Sequence, residues 1–199
     1  SDKVIHQLRD LYATFRREDP APKRAWPAPT GIILSLDSIK HHSRVSPAKI
    51  EAIRDLTILA FFYLLRPGEH AHTTMNECEG ETLCSPFKLQ DLRFSIPQGP
   101  REPTRELQEA TKLSLNDLNR ANRCTMVFSD QKNSIKGEHA THNSNGDTTF
   151  CPVRAAARRA AHLNHCQAPG TTPIHTYYVT HKGQLSPRKV RSKDITNHL

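Results

Sequence analysis

Two short runs of this chain carry residue types suited to chemistry at phosphorus: Leu64-Leu65-Arg66-Pro67-Gly68-Glu69 and Phe128-Ser129-Asp130-Gln131-Lys132-Asn133. In phosphoryl transfer the equatorial oxygens gather negative charge, and catalysis rests on positioning and on fixed cations aimed at them. Arginine suits that task because its planar fork donates two parallel hydrogen bonds and keeps its charge. Lysine suits a different one, supplying a proton or a point charge to the leaving oxygen, because its pKa can be shifted. Each run also has a plainer reading. Arg66 and Glu69 can be an ion pair at a helix C-terminus, and Lys132 a solvated turn residue with Lys136 as a neighbour on the same turn.

The elements that must hold these residues can be read from the pattern. Arg66 closes the eight-residue apolar run Ile58 to Leu65, and Pro67-Gly68 is expected to end the helix that carries it. That helix should start at Ser46-Pro47, where serine caps free amides and proline fits the first turn. Thr125 to Phe128 reads as a strand, residues 133–138 as a turn, and His139 to His142 as the returning strand, with Lys132 at the hairpin tip. Phe87 to Phe94 alternates as a strand does, with a helical start as the alternative, and a short helix is expected around Leu107 to Leu118. Cys151-Pro152-Val153 opens an alanine-rich helix that ends before Ala168-Pro169-Gly170. Ile174 to Val179 is a further strand candidate, and Asp194 to Leu199 looks like the first turn of a helix. Upstream, Asp2 to Arg17 has helical apolar spacing, Trp26-Pro27-Ala28-Pro29 reads as a linker, and Thr30 is placed to cap a short helix.

The bulk numbers bound the partners. The chain has 199 residues, 36% hydrophobic content and a formal net charge of +8, with a mean hydropathy of -0.64 and a pI near 9.4. Long solvated loops and a polyanionic partner follow, nucleic acid ahead of an anionic membrane surface; a basic surface kept for solubility is the plain alternative. No signal peptide or membrane-length apolar run is visible. Five cysteines, without secretory context, argue for reduced thiols in an intracellular protein.

The order of buried helix, Leu-Arg-Pro-Gly-Glu, strand, long insertion, strand, Gln-Lys-Asn hairpin, then Cys-Pro-Val with an arginine-rich helix resembles the tyrosine recombinase superfamily. More narrowly it is similar to recombinases of Crypton-type mobile elements and related eukaryotic sequences, over most of the chain from Trp26 onward. The resemblance implies a mainly helical α+β catalytic domain with a small antiparallel sheet. It divides the chain into the last helix of a preceding helical domain (residues 1–19), a linker (20–29) and a partial catalytic domain (30–199). It makes Arg66 a catalytic arginine, Glu69 its structural support and Lys132 the hairpin lysine. The implied activity is DNA cleavage and rejoining through a 3′-phosphotyrosyl link, with no metal or nucleotide cofactor. One departure is Tyr63-Leu64, where many members have Thr-Gly.

The family's His-x-x-Arg box and nucleophilic tyrosine are expected downstream. His41-His42-Ser43-Arg44 precedes Arg66 and is in the wrong order, while Tyr177 and Tyr178 fall too early. This chain alone is therefore expected to be inactive, either as a C-terminally truncated enzyme or as an inactive DNA-binding or interaction module derived from one. Candidate phosphate contacts are Arg154, Arg158 and Arg159 on the alanine-rich helix, and Arg188, Lys189, Arg191 and Lys193 in the tail, with a merely solvated face as the alternative. Expected partners are double-stranded DNA and further copies of the chain on it, with no membrane and no small-molecule substrate; a eukaryotic member would be nuclear. His70, His72, Cys78 and Cys84, or His162, His165 and Cys166, have zinc-competent chemistry but lack a tight Cys-x₂-Cys pair.

Overall fold

The computed structural model describes residues 45–73, 85–97, 108–129 and 137–196. The expected Asp2–Arg17 helix, the Trp26–Pro29 linker, the helix capped by Thr30, the tip around Lys132, and Cys78 and Cys84 lie outside the described residues.

Helix α1, Pro47–Tyr63, begins as its sequence dictates: Ser46 is extended and its side chain accepts from the Lys49 amide at 3.3 Å. Its Ile50, Ala52, Ile53, Leu56, Ile58 and Leu59 are buried. It packs on helix α4, Pro152–His165, whose alanines at 155, 156, 157 and 160 allow close approach. Small side chains on one helix and branched ones on the other let the two backbones approach closely.

A four-stranded antiparallel sheet flanks this pair. Its strands are β1, Leu92–Ser95, β2, Gln108–Glu109, β3, Arg123–Phe128, and β4, Glu138–Asn143, in the order β2-β1-β3-β4. The β1–β3 register pairs Phe94 with Cys124, and the β3–β4 register pairs Thr125 with Thr141. Inward-facing Leu92, Phe94, Cys124 and Met126 are fully buried. The Tyr63 hydroxyl donates to the Cys124 carbonyl at 2.9 Å, and the His142 ring meets the Phe62 carbonyl at 2.9 Å, tying the end of α1 to the sheet.

A separate two-stranded ribbon follows α4: β5, Thr176–His181, and β6, Gln184–Lys189. Its base is buried through Tyr177, and the short helix α5, Ser192–Thr196, comes after it. The architecture is α+β, with two antiparallel sheets among the described residues where the sequence suggests one. The expected helix over Leu107 to Leu118 is replaced by β2, a 3₁₀ turn at Ala110–Lys112, and helix α3, Leu115–Arg120. Ser114 and Asp117 explain this: they form a reciprocal cap that fixes the helix start at Leu115. Gln108 and Glu109 are drawn instead into pairing with Phe94 and Arg93. Strand Phe87 to Phe94 is likewise shortened, with a 3₁₀ turn at Leu89–Asp91 before β1. No helix among the described residues is long and apolar enough to cross a membrane.

Candidate functional site

Arg66 does not sit on the end of α1. The helix stops at Tyr63, and Leu64 turns the chain in a left-handed conformation with φ 53°. The Leu65 amide reaches back to the Ala60 carbonyl at 3.1 Å, closing the helix end. Pro67 then opens a new one-turn helix, α2, Pro67–His70. The sequence reading of Pro67-Gly68 as a terminator is therefore corrected: proline is tolerated in a first helical turn, and here it starts one.

Glu69 organises the turn. Its carboxylate accepts from the Arg66 amide at 2.8 Å, and the Glu69 amide donates to the Arg66 carbonyl at 2.9 Å. Glu69 is buried while Arg66 is exposed, so the acid supports the backbone of the arginine rather than projecting outward. His70 adds a second tie through Nδ1 to the Arg66 carbonyl at 2.9 Å. Burial holds this imidazole below its ordinary pKa, so it is neutral, with Nδ1 as the donor.

The turn shares a small cleft with the end of β3. Glu69, Ser85, Phe87, Asp91, Phe128 and Ser129 line it. The Phe87 amide donates to the Glu69 carbonyl at 3.0 Å, and its ring packs edge-on against Phe128 with centroids 4.9 Å apart. Asp91 takes the Lys88 amide at 2.8 Å; burial pushes its carboxyl pKa up, against the pull of Lys88, Ser129 and Arg93. Ser129 is the last described residue before the run that holds Lys132. The structure thus brings the Arg66 turn to the root of that run, and Lys132 itself is outside the described residues.

The tail is tied to the same region. The His72 amide donates to the Val190 carbonyl at 2.8 Å, and the Ser192 amide to the His72 carbonyl at 2.9 Å, in a parallel bridge that sets His72 beside Arg191. Arg188, Lys189, Arg191 and Lys193 are all exposed on this strip. A charge asymmetry missed in the sequence reading stands behind it. Residues 148–193 hold eight Lys/Arg and no Asp/Glu, which equals the formal net charge of +8 for the whole chain.

The arginines of α4 behave differently from the expectation. Arg159 is 2% exposed, and its guanidinium donates to the carbonyls of Ile174 and Thr176. Burial lowers its pKa to about 10. Arg158 gives Nε and Nη2 to the buried Asp55 carboxylate at 2.9 and 2.7 Å, and Nη1 to the Thr148 carbonyl at 3.1 Å. Burial pushes the Asp55 pKa up while Arg158 opposes it. Both arginines are structural and are withdrawn as phosphate contacts. Arg154, half-buried, donates to the Asn119 carbonyl. Spacing alone put the three on one face, but Arg159 lies one residue past the i,i+4 pair and turns inward.

Among the described residues no group of three or more His, Cys, Asp or Glu is placed to hold a metal. Compared with protein-family models, with curated proteins and with solved structures, the chain matches none.

Proposed function

We propose that this chain is a DNA-binding domain of tyrosine recombinase type, in which Arg66 and Lys132 address one backbone phosphate of the DNA. The observation that carries the reading is the shared cleft: the Glu69-braced turn presenting Arg66 meets the end of β3, from which the Lys132 run departs. An exposed arginine whose backbone is braced by a buried acid costs little to order when it meets an anion. The exposed Arg188, Lys189, Arg191 and Lys193 supply further charge beside it, and such contacts fix the DNA backbone without reading its sequence. Strand cleavage and rejoining would need a His-x-x-Arg box and a tyrosine that these residues do not match in order. The reading for this chain is therefore phosphate binding ahead of catalysis.

Fluorescence anisotropy with a duplex oligonucleotide tests it across a salt series. The affinity is expected to fall steeply with salt, with a log–log slope of about −0.9 per phosphate neutralised. Arg66→Ala is expected to weaken binding roughly tenfold, the worth of one charge-assisted hydrogen-bonded contact. Salt-insensitive binding, or an Arg66→Ala protein with undiminished affinity, would sink the reading.

A further inference from the structure

We propose that the β5–β6 ribbon is a groove-binding arm that enters the major groove of duplex DNA, an inference that rests on the DNA-binding reading above. The ribbon has three properties that together fit this partner.

The first is shape. Each strand has six residues joined by the two-residue turn Lys182-Gly183, whose φ values of 50° and 77° are those of a tight hairpin turn matching the twist of its strands. At 3.3–3.4 Å per residue the arm is about 20 Å long. Burial falls away along it: Thr176 and Tyr177 are buried, Tyr178 and Val179 half-buried, and residues 180–185 exposed. The outer half is thus exposed on both faces, as an inserted element must be. A major groove of ~12 Å width admits a two-stranded ribbon of this kind.

The second is register. Pairing sets Tyr177 opposite Arg188, Val179 opposite Ser186, and His181 opposite Gln184. Since side chains alternate, Gln184, Ser186 and Arg188 share one face with His181, and Lys182 stands at the tip. That face offers hydrogen-bonding groups in a row: an amide able to read adenine, a guanidinium able to read guanine or hold a phosphate, and an imidazole. Leu185, 47% exposed, lies on the opposite face with Thr180.

The third is charge. The ribbon lies inside the acid-free segment 148–193, so no carboxylate on it repels a polyanion. An anionic membrane would share the attraction. The row of hydrogen-bonding side chains and the single large exposed apolar residue of the outer half favour DNA.

The test compares the full chain with a Lys182→Ala, Gln184→Ala, Arg188→Ala triple variant, using duplex DNA in a salt series. The variant is expected to bind at least tenfold more weakly, with a salt slope shallower by about 2 for the two cations removed. All three positions are exposed, so an unchanged circular dichroism melting curve is expected and serves as the folding control. A measurement without any variant runs in parallel. Bulky C5 substituents on the pyrimidines, which fill the major groove, are expected to reduce binding at least tenfold, whereas a minor-groove dye leaves it within twofold. If the wild type binds and Arg66→Ala weakens it while the triple variant and the groove-filled duplex bind normally, the arm and the Arg188 contact are overturned, and the phosphate contact proposed for Arg66 stands. If the wild type does not bind DNA, or prefers phosphatidylserine vesicles to it, both fail together.

Discussion

At the scale of single residues, burial separates the arginines into two kinds. Arg66, Arg188 and Arg191 are exposed on structured backbone, Arg191 beside Asp194, whereas Arg159 is buried on the Ile174 and Thr176 carbonyls and half-buried Arg158 holds Asp55. The carbonyls of Ile174 and Thr176 start the ribbon, so Arg159 is the pin between α4 and β5. Removing it leaves buried carbonyls without this donor, at a cost of ~1–3 kcal/mol each. Arg159→Leu is therefore expected to lower stability by about 2 to 4 kcal/mol in urea denaturation, while Arg188→Ala changes it by less than about 0.5 kcal/mol. Equal effects of the two substitutions would contradict the assignment. Sequence could not make this division. A helix with Arg154, Arg158 and Arg159 shows three cations, and only the folded positions of Asp55 and of the Ile174 and Thr176 carbonyls reveal which are used internally. The Glu69 carboxylate takes a backbone amide and not a side chain, a pairing that no sequence pattern displays.

At the scale of elements, legibility tracked the strength of local signals. Ser46-Pro47 and Cys151-Pro152 open their helices where the sequence placed them, since capping is decided within one turn. Strands β3 and β4 match their alternating runs and extend them slightly. The end of α1 was misplaced because nothing in Leu64 announces a left-handed residue, a conformation usually given to glycine. Strand β6 was unread because Pro187 argues against a strand. It is tolerated here because the Tyr178 amide opposite turns away to His162 Nε2 at 3.1 Å, so no ladder bond is lost at that pair. The clearest local signal also gives the cleanest test. Ser46→Ala removes the side-chain acceptor for the Lys49 amide and is expected to cost about 1 kcal/mol, read as a lowered melting temperature. No change in melting would mean that the α1 start is held by packing alone.

At the scale of the whole molecule, the histidines set how the fold responds to acid. His175 is 1% exposed, with His72, Lys189, Arg159 and His70 around it, and burial lowers its pKa to about 3. His162, against Tyr178, is lowered to about 4 by burial and by Arg159, and His70 is lowered as well. Each group titrates near 6.5 when unfolded. As pH falls below that value the unfolded chain takes up protons that the folded one refuses, so folding stability must fall with them. The loss begins near pH 6.5 and continues toward pH 4 and 3. Asp194 and Asp147, held below their ordinary value, add to it only at the acid end, whereas Asp55 and Asp91, raised by burial, oppose it as pH falls through their raised values. The histidines act within the window from pH 7.5 to 5.5, because their unfolded value of 6.5 lies inside it. Urea midpoints are expected to be lower at pH 5.5 than at pH 7.5, and His175→Gln, which keeps a polar group but removes the titration, is expected to shrink the difference. An identical drop in the variant would show that His175 does not carry it.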